Sequence, residues 1–209
     1  MADAELIVLE RGWLSSNNIV IGDGEDGVVL VDTGYSTHAP QTLALVQAAL
    51  KGRALTKILN THLHSDHCGG NALLARHFDA PIVVPPGQFE AAQAWDETRL
   101  SYQATGQTCE RFRPDQMLMP GSTLKLGRGL WHVLAAPGHD PDSVILFESN
   151  SGTLISADAL WERGFGVVFP ELVGGAGFAE VDATLELIAS LSVARVIPGH
   201  GAHAQRGHV

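Results

Sequence analysis

Short apolar runs punctuated by Gly, Asp, Asn and Pro recur along the 209-residue chain and predict β-strands at 5–9, 18–21, 27–31 and 56–60. A second group is predicted at 123–126, 130–135, 143–148, 153–156 and 194–197. Asp23-Gly24-Glu25-Asp26 reads as the turn joining the second and third strands. Helical spacing interrupts the strands. In 37–50 the apolar positions Leu43, Val46, Ala49 and Leu50 share one face, and 71–78 reads as a short helix. In 182–191 Leu185, Ile188 and Leu191 line up, with Asp182 as the expected N-cap.

Pro85-Pro86 opens a different stretch. Residues 88 to about 106 form helix with a polar side, so a helical insertion is expected at about 86–116, either a lid or an ordinary surface helix. Alternating strands and helices predict an α/β layered fold, with residues 1–209 as one domain.

Composition narrows the functional classes. Hydrophobic residues make up 45% and charged residues 17%, as in an ordinary globular protein, and no apolar run is long enough to span a bilayer. The start, Met1-Ala2-Asp3-Ala4-Glu5, is acidic and lacks the basic opening of a secretion signal, so the cytoplasm is the expected compartment. A net charge of −10 argues against a nucleic-acid partner. Cys68 and Cys109 are too few for a disulfide framework or a thiolate zinc site, which leaves His and Asp to bind any metal.

Those residues are concentrated. Thr61-His62-Leu63-His64-Ser65-Asp66-His67 places three imidazoles and a carboxylate within six residues, directly after a predicted strand. Imidazole with carboxylate suits zinc or iron before magnesium or calcium. Three other predicted strands also end on ligand types: Pro137-Gly138-His139, Asp158 and Pro198-Gly199-His200. A strand end on a packed sheet is a rigid mount, and the glycine beside each later histidine is expected to let the backbone turn sharply.

His62-x-His64-x-Asp66-His67, followed in order by His139, Asp158 and His200, resembles the metallo-β-lactamase superfamily, in its glyoxalase II-like metallohydrolase branch. Val31-Asp32-Thr33-Gly34 resembles that family's early strand-end motif. The resemblance implies an αββα four-layer sandwich of two mixed sheets flanked by helices. It also implies two Zn²⁺ ions per chain, with Fe the other candidate. His62, His64 and His139 would hold one ion and Asp66, His67 and His200 the second, with Asp158 bridging and Asp32 supporting the histidines from behind.

The implied activity is a metal-dependent hydrolase, in which a bridging hydroxide cleaves a small ester, thioester, lactone or amide. Asp66 would help to orient the nucleophile, and Asp158 would place both ions. The alternative on the same fold is a mononuclear iron persulfide dioxygenase using His62, His139 and Asp158. β-Lactamase activity, or a metal-binding protein without turnover, is the further alternative. Glyoxalase II proper has an additional helical domain that helps bind glutathione. Only nine residues follow His200, which shifts the expectation away from that substrate. The expected partner is a small molecule, with no nucleic acid or membrane; a homodimer is compatible.

Other residues receive plainer readings. Cys68 is expected to pack beneath the site as a small buried residue. His38, His77 and His132 read as surface or core histidines, and His203 and His208 as part of a terminal tail. Tyr35, Trp161, Phe165 and Phe169 are candidates for a substrate pocket.

Overall fold

The computed structural model describes residues 5–12, 14–23 and 27–205. Residues 24–26 of the expected turn, the first four residues and His208 lie outside the described residues. Two six-stranded sheets face each other. The first contains Glu5–Leu9 (β1), Asn18–Asp23 (β2), Gly27–Val31 (β3), Leu55–Leu59 (β4), Ile82–Val84 (β5) and Gln116–Met117 (β6), in that spatial order. The second runs in the reverse of chain order. It contains Thr123–Leu126 (β7), Gly129–Ala135 (β8), Val144–Glu148 (β9), Thr153–Ala157 (β10), Arg195–Pro198 (β11) and Ala204–Gln205 (β12).

Both sheets are mixed. β1–β2–β3 is antiparallel, and β3–β4–β5–β6 continues in parallel. In the second sheet only β10–β11 is parallel.

Successive side chains of a strand point to opposite faces, and here both faces are covered. Ile19, Ile21, Val31, Leu59 and Val83 meet Trp131, Val133, Val144, Leu146, Ile155 and Ile197 between the sheets. Their neighbours Val20, Leu30, Ile58, Ile82 and Val84 point outward. There they pack on Val46, Leu50, Leu74, Ala91 and Ala92 from three helices: Ala39–Leu50 (α1), Asn71–Phe78 (α3) and Pro86–Ala94 (α4). On the far side Ile145, Phe147 and Leu154 pack against Ile188 of Phe178–Ser190 (α7). Helix, sheet, sheet, helix is the layer order that the family resemblance implies. Between α1 and α3 lies one turn of helix, Ser65–Cys68 (α2).

Several elements depart from the expectations. α7 begins at Phe178, so Asp182 is an exposed interior residue and not its cap. The cap comes from outside the helix: Glu171 Oε1 accepts the backbone N–H groups of Gly177 and Phe178 at 2.7 and 3.1 Å. Glu171 sits on the short helix Phe169–Leu172 (α6). The helix expected over 88–106 is two pieces, α4 and Tyr102–Thr105 (α5). Trp95 and Ser101 adopt left-handed backbone angles, φ +57° and +64°, which end one helix and precede the other. The short strands β5, β6 and β12 were not predicted; pieces of two to three residues carry too little periodicity to detect.

Candidate metal centre

The strand ends predicted to carry ligands meet at one edge of the sandwich. The segment after β4 is held by buried amides: Asn71 Nδ2 donates to Asn60 Oδ1 at 2.7 Å, and Thr33 N to the carbonyl of His67 at 2.7 Å. The Thr61 carbonyl accepts Val144 N of the opposite sheet at 2.9 Å, tying the two sheets at the root of the loop. From this base His62, His64 and His67 project inward, all buried.

Three ring nitrogens, His62 Nε2, His64 Nδ1 and His139 Nε2, lie 2.8–3.2 Å from one another. The opposite nitrogen of each ring faces an acceptor. His139 Nδ1–H donates to the Val167 carbonyl at 2.6 Å. His62 Nδ1 lies 3.2 Å from Thr61 Oγ1, whose own proton goes to Asp32 Oδ2. His64 Nε2 is 3.6 Å from Asp140 Oδ2. The outer nitrogens therefore carry the protons, and three lone pairs converge on one point. No arrangement of N–H donors satisfies all three; a cation does.

The second group is Asp66, His67, Asp158 and His200. His67 Nδ1–H donates to Asp32 Oδ2 at 2.8 Å, which turns Nε2 inward. That nitrogen is buried without a hydrogen-bond partner: Asp158 Oδ1 is 3.3 Å away but poorly aligned. His200 Nε2 lies 3.1 Å from Asp66 Oδ2. Asp158 stands between the groups, with Oδ1 toward His67 and Oδ2 3.4 Å from His139 and 3.8 Å from His200. All seven residues singled out in the sequence are thus brought together, and their donor set fits two divalent cations.

Electrostatics separates the groups. Burial, reinforced by the neighbouring imidazoles, holds His62 well below its ordinary pKa and takes His64 down to about 3; burial also lowers His139. His67 moves the other way: burial opposes its charge, but Asp158, Asp32 and Asp66 outweigh burial and raise it. Burial would raise Asp66 and Asp158, yet the surrounding histidines, His67 foremost, hold both below the usual carboxylate range. The first group is built for neutral rings and the second for charge.

Backbone conformation serves this placement. Asp32 (φ +57°) and Ala157 (φ +46°) are non-glycine residues in the left-handed region, each at the end of a strand feeding the site. Gly138 (φ +131°) makes the expected sharp turn before His139. Gly199 has a different reason to be glycine: a Cβ there would collide with the Asp158 carboxylate.

Sequence reasoning missed Asp140. It is buried, burial pushes its pKa up to about 7, and Gln88 Nε2 of α4 donates to its Oδ2 at 3.1 Å. Its position directly after His139 was the available signal. Also missed was how Cys68 and Cys109 meet: their sulfurs are 3.9 Å apart, and Cys68 Sγ is 3.1 Å from the Tyr102 hydroxyl, beneath the histidine loop. Cys68 is fully buried, and that burial raises its thiol pKa.

A cleft of about 660 Å³ opens over the two groups. Tyr35, Trp161 and Phe169 line it, and so does 105–107 from the segment between β5 and β6. Phe169 packs on His64 at 4.2 Å between ring centroids, and Trp161 on His200 at 5.5 Å. Phe165 does not line this cleft but a small neighbouring cavity. His38 and His77 bond to Ser15 and Gln47 and belong to neither ligand group.

Residues 11–200 match the family model of the metallo-beta-lactamase superfamily. The chain belongs to that superfamily. It is 32% identical over 148 residues to a hydroxyacylglutathione hydrolase of Nitrobacter winogradskyi, a match covering 68% of this chain and 51% of that protein. The chain thus spans about half the length of that relative. The chain is 24% identical over 221 residues to the acyl-coenzyme A thioesterase MBLAC2 of Bos taurus, covering 96% and 79% of the two chains. Among solved structures, the di-iron-bound form of TTHA1623 superposes with a TM-score of 0.77 at 30% identity, covering 97% and 96%. The superfamily's fold of two mixed sheets flanked by helices is the one described above. Among the described residues no helix is long and apolar enough to cross a membrane.

Proposed function

We propose that this chain is a dinuclear metallohydrolase that cleaves a small ester or thioester, with zinc at both positions. The observation that carries the reading is Asp158, whose carboxylate lies between the two ligand groups, 3.3 Å from His67 and 3.4 Å from His139. His62, His64 and His139 would hold one ion and Asp66, His67 and His200 the other, with Asp158 shared. A pair of divalent cations supplies Lewis acidity to a scissile carbonyl and lowers a water's pKa from about 16 toward neutrality.

The chain's own residues do the rest. Asp66 lines the cleft and stays ionised, so its carboxylate can accept the proton of an incoming water. Trp161 Nε1–H donates to Asp158 Oδ1 at 3.2 Å and fixes that carboxylate. Phe169 and Trp161 cover His64 and His200 on the cleft side and restrict water there. Hydrolase relatives in both glutathione-thioester and acyl-coenzyme A thioester chemistry support a thioester class. Iron is the other candidate occupant, as TTHA1623 has a di-iron-bound form. A persulfide dioxygenase would need one iron and no second group; the complete set of Asp66, His67 and His200 favours hydrolysis.

The deciding experiment measures metal content alongside turnover. Two ions per chain, with thioesterase activity lost to chelator and restored by Zn²⁺, is the expected result. One iron per chain with oxygen uptake on a persulfide overturns it.

A further inference from the structure

Among the described residues, Arg11 is the sole lysine or arginine lining the cleft. Its guanidinium is partly buried, and its side-chain partners are all neutral. Nη1 donates to Asn18 Oδ1 and Thr42 Oγ1, both at 2.7 Å, and Nη2 donates to Gln41 Oε1 at 2.9 Å. Burial lowers its pKa. Among the described residues no carboxylate pairs with it. The three bonds occupy three of the five N–H donors, leaving Nε–H and one Nη2–H.

A partly desolvated cation with neutral partners only is costly to maintain, and the same three bonds hold it in one orientation. Its backbone N–H donates to Asn17 Oδ1, and Asn17 Nδ2 in turn donates to the Pro198 and Gly201 carbonyls that flank His200. Arg11 is thereby fixed to the loop carrying one of the ligand residues. Outside the metal-ligand groups the chain supplies little else to hold an anion: its net charge is −10. A neutral substrate would leave this cation without a counter-charge. An anionic one would meet a preorganised guanidinium, which binds oxyanions through paired N–H groups.

We propose that Arg11 is a specificity-determining residue that binds a carboxylate or phosphate on the substrate, whose apolar body lies against Leu14, Trp161, Val167 and Phe169. The proposal rests on the hydrolase reading. It narrows the substrate to an anionic ester or thioester.

Zinc-loaded enzyme is assayed with four thioester probes: neutral S-butyryl mercaptoethanol, S-butyryl mercaptopropionate, S-glutaryl mercaptoethanol and S-butyryl mercaptoethyl phosphate. They place no charge, a carboxylate on the thiol side, a carboxylate on the acyl side, and a phosphate. At least one anionic probe is expected to exceed the neutral one in kcat/KM by about tenfold, through KM, with the advantage shrinking as salt is added. Arg11→Met is expected to bring that ratio to about one, and Arg11→Lys to retain part of it. A purely structural role for Arg11 would lower all probes alike and leave the ratio unchanged, which overturns the proposal. So does a wild-type enzyme that hydrolyses the probes without preferring an anion, a result that decides the matter even where Arg11→Met does not fold. Hydrolysis of none of the four overturns the hydrolase reading, and the proposal with it.

Discussion

Asp32 Oδ2 accepts His67 Nδ1–H at 2.8 Å, and the same carboxylate accepts Thr61 through both its backbone N–H and its hydroxyl. One buried side chain thus fixes which nitrogen of His67 faces Asp158 and anchors the start of the histidine loop. Asp32→Ala should weaken metal binding at the His67 group about 10- to 100-fold, the usual cost of removing a carboxylate behind a ligating imidazole. Chelator competition on the purified variant measures this; unchanged affinity for both ions would show that Asp32 serves the fold alone.

The opposite shifts of the two histidine groups predict different proton counts on metal binding. At about pH 7.5, His62, His64 and His139 are lowered and already neutral, so filling their position releases few protons. His67 is raised and so keeps more of its proton at that pH, and filling the second position is expected to release more protons than filling the first. At about pH 7.5 Asp140, at about 7, is mostly ionised and adds little. Calorimetric titration of metal-free protein in buffers of different ionisation enthalpy counts the protons of each step. Equal release in both steps would contradict the assignment.

The sign of the acid dependence follows from the same groups. His64 has a folded pKa of about 3, below the ordinary value near 6.5, so the metal-free fold resists its protonation. Unfolding lets it charge, and stability falls as pH drops from about 6.5 toward 3. His67, raised by its carboxylates, contributes stability that is present below about 6.5 and is lost as pH rises through its folded value. Denaturant melts of metal-free wild type and His64→Gln across this range should differ most at acid pH, with the variant less acid-sensitive.

His64→Ala and Asp158→Ala should each abolish measurable turnover, because each removes a member of a converging donor set. Gly199→Ala is the subtler test. It leaves every ligand type in place but drives a methyl group into Asp158, so turnover should fall at least about 100-fold in folded protein, given how steeply rate depends on placement. Near-normal activity would mean that Asp158 has freedom the structure does not suggest.

Cys68→Ser should leave activity within about tenfold, equivalent to about 1.4 kcal/mol in the barrier, since the thiol faces Tyr102 and Cys109 and not the cleft. A dead but folded variant, judged by circular dichroism and melting, would assign the sulfur a chemical role.

How much of this was legible depended on the range of the cause. The residues that converge on the site announce themselves because each sits at the end of an apolar run, and a strand end is a local signal. Their supports do not. Asp140 is held by Gln88 and Arg11 by Asn18, Thr42 and Gln41, pairings made by folding and carrying no fixed spacing. The true start of α7 was hidden for a related reason, its cap being Glu171 from another element. Gly199 was marked as special, but for turning, when the actual demand is room for a carboxylate.

The seven converging side chains are split between the halves of the sandwich: four follow β4 and three follow β8, β10 and β11. An ion lodged among them would act as a rivet through both plates, so resistance to heat becomes a function of free metal concentration. At 100 times the dissociation constant a single such rivet adds about 2.7 kcal/mol, a large fraction of what keeps an ordinary domain folded. Scarcity of metal would then disarm the catalyst and loosen the scaffold in one stroke.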